Sequence, residues 1–296
     1  MKIRMKISAF LLVLFLFSLQ TFSDESTCAV CHEDQVAGFN KNAHGKIWAS
    51  KGVAQENCTK CHGDTSKHLL EKPKTSSSIL SFAKKSKNDP KEQNASCLTC
   101  HSATSKVAAW KMSKHASNGV SCASCHKIHN GQMGAKPTSQ DCLSCHKDVK
   151  QELGKFSHHP VIEGKVSCMD CHNPHGTMSG KKALVADSNN QLCYKCHADK
   201  RGPHIWEHSP VQENCLTCHV AHGGRYKKLL VEKGHELCQK CHVSVHSIYS
   251  GSNGFDKAFS SSTGRVVARD CLNCHTAIHG SSAPSGSGVR AKMFMR

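Results

Sequence analysis

Cys-x-x-Cys-His occurs ten times in the 296 residues, and the ten copies use all twenty cysteines. In chain order they are Cys28, Cys31 and His32; Cys58, Cys61 and His62; Cys97, Cys100 and His101; Cys122, Cys125 and His126; Cys142, Cys145 and His146; Cys168, Cys171 and His172; Cys193, Cys196 and His197; Cys215, Cys218 and His219; Cys238, Cys241 and His242; and Cys271, Cys274 and His275. Positions i, i+3 and i+4 share one face of a helical turn. Two thiols and an imidazole so placed are the attachment signature of c-type haem. The thiols add to the porphyrin vinyls as thioethers, and the histidine becomes the proximal axial ligand. Zinc sites and disulfide frameworks also use paired cysteines. Neither requires a histidine directly after every second cysteine.

The copies group into five two-haem units starting near Cys28, Cys97, Cys142, Cys193 and Cys238. Within each unit a separate histidine stands between the two motifs, and another follows the second. The middle set is His44, His115, His158, His208 and His246. His158 is preferred to His159 because Phe-Ser-His-His-Pro-Val aligns with Trp-Glu-His-Ser-Pro-Val at Trp206–Val211. The late set is His68, His129, His175, His222 and His279, of which His68 sits farthest from its motif. These ten are the expected distal ligands. Of the 23 histidines, His159, His204 and His235 are left over. Order alone does not say which distal histidine meets which haem.

The elements that hold these residues should be short helical pieces of one or two turns around each motif. The expected fold is a mostly irregular multihaem cytochrome c, an extended haem wire with no substantial β-sheet. Glu71–Ser96 is rich in Lys, Ser and Asn and reads as an exposed loop. Ser247–Asp270 reads as a second long loop, and Gly280–Arg296 as a flexible or docked tail. Trp48, Trp110, Phe156 and Trp206 lie near the middle histidines, where packing on porphyrin faces is their expected role and electron relay the less economical one.

Residues 1–23 have a basic start and an apolar run from Ile7 to Leu19, and read as a secretory signal peptide. The run is short for a retained membrane anchor, the competing reading. The remainder divides by haem count into 24–164, with haems 1–5, and 165–296, with haems 6–10 and the tail. About 27 residues per haem cannot wrap each porphyrin in protein, so stacked haems should themselves form the core.

The formal charge of +17 suggests a nucleic-acid binder. Loss of Lys2, Arg4 and Lys6 with the leader and two propionates per haem reduce it to roughly +4 oxidised and −6 reduced. With no basic, aromatic-interleaved run, no nucleic-acid partner is expected.

Ten motifs behind a leader, Cys-His-x-x-His doublets, and the closing Cys-Leu-Asn-Cys-His-Thr-Ala-Ile-His-Gly-Ser-Ser-Ala-Pro-Ser-Gly resemble the MtrA/DmsE-type periplasmic decahaem cytochromes. The resemblance spans essentially the whole chain beyond the leader. It implies a periplasmic protein, associated with the outer membrane, that carries ten covalent haems. Its implied partners are an outer-membrane β-barrel porin, an outer-surface multihaem cytochrome or reductase, and a periplasmic or inner-membrane cytochrome donor. The five-haem halves also resemble the pentahaem donors of periplasmic nitrite reductase. Three functions compete on the sequence: a conduit seated in a porin, a soluble periplasmic carrier feeding a terminal reductase, and a multihaem reductase. The last needs an iron with an open position. With a distal histidine for every haem, the expected role is electron transfer, not catalysis.

Overall fold

The computed structural model describes residues 28–51, 57–72, 78–129, 137–178, 182–242, 270–273 and 275–283. The leader, Cys274, His246, most of the Ser247–Asp270 loop and the tail beyond Ala283 lie outside these residues.

By its packing the chain forms two units. One comprises described residues of Met1–Thr104 and Asn118–Lys136, the other those of Ser105–Ser117 and Pro137–Arg296. The expected halves, 24–164 and 165–296, were drawn by haem count and not by packing.

Short helices and turns separated by irregular chain make up both units, as expected. The caps sit directly ahead of the motifs. Ser167 accepts the N–H of Met169 at 3.3 Å, while Asp170 accepts the N–H of Ser167 at 2.7 Å, a reciprocal box that starts the turn Cys168–Cys171. Ser121, Ser188 and Asn214 cap the turns carrying Cys122, Cys193 and Cys215 by accepting one backbone N–H each, from Ala123, Gln191 and Leu216. Such short helices are marginal alone, so each needs its cap and its tertiary contacts.

One expectation for the first unit is corrected. Part of Glu71–Ser96 is ordered structure: Asp89 and Pro90 start a twelve-residue helix, Pro90–His101, that runs into the third motif. Ahead of it, Asn88 accepts the N–H of Ser81, and buried Gln93 donates to the Ser81 carbonyl. Polar composition was read as loop, but side-chain amides here replace apolar contacts as the local glue.

In the second unit, Ser157–His158 pairs antiparallel with Gly223–Gly224, the two-stranded sheet among the described residues. Gly223 has no side chain because a Cβ there would collide with the Glu152 carbonyl. Glu152 lies in the last turn of helix Lys147–Leu153, whose Leu153 is 1% exposed.

Buried apolar side chains among the described residues are few: Ala109, Trp110, Leu143 and Leu153. Buried polar residues outnumber them, including Asn42, Gln93, Asn94, Ser113 and Asn190. Large apolar side chains such as Val30, Leu70 and Phe156 stand open. A chain of this length ordinarily builds a larger core.

Candidate haem-ligating histidine pairs

The motifs share one backbone geometry. The N–H of the motif histidine donates to the carbonyl of the first cysteine, four residues back, at 2.8–3.0 Å in the motifs ending at His32, His126, His146, His172, His197, His219, His242 and His275. His62 and His101 end regular helices, Asn57–His62 and Pro90–His101. Both cysteines and the imidazole are thereby brought to one face of one turn.

At least eight motif histidines look across a gap at a second histidine. In the first unit the pairs are His32 with His68, His44 with His101 and His62 with His129, with ring centres 6.2, 6.0 and 6.2 Å apart. In the second they are His115 with His146, His159 with His197, His172 with His222, His208 with His242 and His219 with His279, at 6.0–6.3 Å. Rings in van der Waals contact would stack at roughly 3.5–4 Å. Two imidazoles on opposite sides of one metal ion, each bonded at about 2 Å, place their centres about 6 Å apart. The residues therefore fit a haem iron between each pair.

The histidines expected as distal ligands fare as follows. His44, His68, His115, His129, His208, His222 and His279 each face a motif histidine. His68 does so although it stands six residues past His62. His175 has the Trp110 ring as its neighbour, centres 6.2 Å apart and edge-on, and His246 lies outside the described residues. His158 is the correction: His159 faces His197. The His158 ring is engaged elsewhere, Nδ1 with the Lys155 carbonyl at 2.7 Å and Nε2 with Glu163 at 2.9 Å. Successive strand residues project to opposite sides, so a one-residue difference exchanges the faces.

A second layer orients the rings. Nδ1 of His62, His115, His129, His172 and His219 donates to the carbonyls of Leu80, Pro174, Gln35, Lys182 and Lys228 at 2.8–3.0 Å, and Nδ1 of His159 to that of Ala221. Such donation leaves Nε2 as the lone-pair nitrogen. His222 differs, since its Nδ1 meets the Glu152 carboxylate at 2.9 Å. His208 Nδ1 is buried without a hydrogen-bond partner. Burial lowers the pKa of His62, His44, His126 and His279, favouring the neutral, ligating imidazole.

Cysteines of consecutive motifs meet one another. The free thiols of Cys28 and Cys58, Cys97 and Cys122, Cys193 and Cys215, and Cys238 and Cys271 hydrogen-bond in pairs. Burial with this neighbour pushes the Cys193 and Cys238 thiols up to about 11. Second cysteines link onward: Cys61 lies within electrostatic reach of Cys97 and Cys100, Cys171 of Cys196, and Cys218 of Cys241. Porphyrin edges attached to these sulfurs would follow one another in sequence order within each unit.

Three features escaped sequence reasoning. Buried Asn94 and Asn190 each stand three residues before a motif and accept the N–H of the next motif's first cysteine, Cys122 at 2.7 Å and Cys215 at 2.8 Å. Their matching place in two repeats was a usable signal. Lys182, Ala183, Lys228 and Leu229 take positive φ, from 49° to 59°, and present the Lys182 and Lys228 carbonyls to His172 and His219. The related segments Lys-Ala-Leu-Val and Lys-Leu-Leu-Val mark these turns. Glu152 carried no sequence signal. Trp206 holds the segment Ser281–Ala283: it exchanges backbone hydrogen bonds with Ser281, and its indole N–H donates to the Ala283 carbonyl.

Repeated attachment turns, imidazoles paired across iron-sized gaps and a minimal core define a multihaem c-type cytochrome. Known proteins agree. The doubled CXXCH motif family matches residues 158–202 and 208–246, and the cytochrome c-type protein NrfB-like family matches 58–136. Multiheme cytochrome MtrA of Shewanella baltica is 38% identical over 274 residues, covering 88% of this chain and 79% of that protein. Cytochrome c-type protein NrfB of Escherichia coli is 28% identical over 44% of this chain and 70% of its own length. Cytochrome c-type protein NrfH of Wolinella succinogenes is 29% identical over 40% and 69%. The chain belongs to the MtrA-type multihaem cytochromes, carries covalently bound c-type haem and transfers electrons.

Proposed function

We propose that the protein binds ten haems, each held between two histidines, and conducts electrons between periplasmic donors and the outer membrane as part of a porin–cytochrome complex. Bound haem supplies a one-electron ferric/ferrous couple. The chain's own residues fix where that couple sits and deny it an open position. The observation that carries the reading is the set of histidine pairs at 6.0–6.3 Å. With imidazole on both sides, nothing but outer-sphere transfer remains. The linked cysteines add a defined succession of sites. Imidazole on both faces favours ferric iron more than a thioether ligand would, so low potentials are expected.

The distal set in this reading is His44, His68, His115, His129, His159, His175, His208, His222, His246 and His279. The leader would direct export to the periplasm, and the partners would be a β-barrel porin, a surface multihaem cytochrome or reductase, and a periplasmic or inner-membrane cytochrome donor. Affinity purification of the tagged protein from solubilised outer membranes, with mass spectrometry of intact protein and partners, tests it. Expected are ten haem masses on the exported chain and a co-purifying barrel protein. Recovery only as a soluble cytochrome, without a barrel, would leave the carrier role and defeat the conduit.

A further inference from the structure

We infer that Glu152 is a positioning and tuning residue that makes the His172–His222 site more electron-rich than the His62–His129 site, whose two rings both donate to backbone carbonyls. The inference rests on these two histidines being a ligand pair.

Carbonyl oxygens receive the Nδ1–H of His62, His115, His129, His159, His172 and His219, so those imidazoles see a neutral acceptor. His222 instead meets a carboxylate oxygen of Glu152 at 2.9 Å. An anionic acceptor draws the Nδ1 proton more strongly, and the opposite nitrogen becomes a stronger donor to its metal. Stronger donation favours ferric over ferrous iron, so the potential of that one site falls.

The contact is built by the fold. Glu152 precedes Leu153, which is 1% exposed and fixes the end of its helix. Gly223, next to His222, lets the strand approach the Glu152 backbone, which any side chain would block. The pairing of Ser157–His158 with Gly223–Gly224 then closes the same corner. At the opposite extreme, His208 has a buried Nδ1 with no acceptor.

Glu152→Gln keeps shape and an oxygen acceptor while removing charge, and Glu152→Asp keeps charge. The test is a spectroelectrochemical titration of the purified, haem-loaded protein, with low-temperature electron paramagnetic resonance of the oxidised form. In Glu152→Gln, haem content and low-spin signals should match the parent, with one redox component displaced to more positive potential. Glu152→Asp should displace it less. His222→Met serves as the control and should create one methionine-ligated ferric haem. If that control works while the Glu152→Gln titration superimposes on the parent, the inference is overturned and the ligand pair stands. If Glu152→Gln loses haem, the residue is scaffold and the inference also fails. If His222→Met alters no haem, inference and ligand pair fall together.

Discussion

Asn190 accepts the backbone N–H of Cys215 on its side-chain oxygen at 2.8 Å, although its own motif is the preceding one. The amide nitrogen of the same side chain donates to the Val211 and Gln212 carbonyls at 2.8 and 3.0 Å. Asn94 repeats this with Cys122 and Val120 at 2.7 and 3.0 Å. Both amides are buried, so every bond lost leaves a polar group stranded away from water. Asn190→Leu should cost about 1–3 kcal/mol, read as a lower denaturant midpoint for the haem-loaded protein. An unchanged midpoint would show the clamp to be dispensable.

The neighbours His158 and His159 provide a clean contrast. If His159 and His197 share an iron, His159→Ala opens one coordination position and adds a high-spin signal worth one haem. His158→Ala removes a pair with Glu163 and a local bond to the Lys155 carbonyl, neither of them at a facing histidine, and surface pairs of the first kind contribute little. Its spectrum should equal the parent's. The reverse outcome would restore the sequence alignment over the geometry.

Gly280 controls how His279 reaches its place. Its φ is +116°, and a Cβ there would collide with the His204 ring. His279, directly before it, faces His219 at 6.1 Å. Gly280→Ala should therefore displace His279 and yield one partly high-spin haem. Only the steric half of the defect is removable, so His204→Ala in the same chain should recover the low-spin signal in part. Failure of both variants to change the spectrum would mean that the segment adapts freely.

Gly45 follows His44 in the helix Ala43–Ser50 and packs against the carbonyl of Phe39. Any side chain at 45 drives the two helices Glu33–Lys41 and Ala43–Ser50 apart. Gly45→Ala should destabilise by about 1–3 kcal/mol, the usual cost of overpacking, and loosen His44 from His101. Thermal melting followed at the haem band measures both effects.

The places of the motif turns and of most facing histidines were legible because c-type haem attachment demands fixed residue types at fixed spacing. Even His68, distant from its motif, falls opposite His32. Where the sequence misled, the cause was backbone geometry. Aligning Phe-Ser-His-His-Pro-Val with its counterpart at Trp206–Val211 pointed to His158, but the two repeats are offset by one residue: Ser157 pairs with Gly224 as Trp206 pairs with Ser281, which puts His159 in the place of His208. Glu71–Ser96 misled for another reason. Amide and hydroxyl side chains there bond backbone groups and build order from residues that usually mark loops. Glu152 meets His222 only through a contact seventy residues distant in the chain, a separation no local pattern encodes.

The asparagine clamps bear on how such a cytochrome can change size. Where one side chain ties a motif to its successor, as Asn94 and Asn190 do, the natural increment of growth or loss is the two attachment sites together. Excising a whole duplex removes donor and acceptor alike and leaves no orphaned amide behind. Excising a single motif strands half of a clamp inside the protein. At these two duplexes, loss or gain of chain should therefore take both attachment sites together.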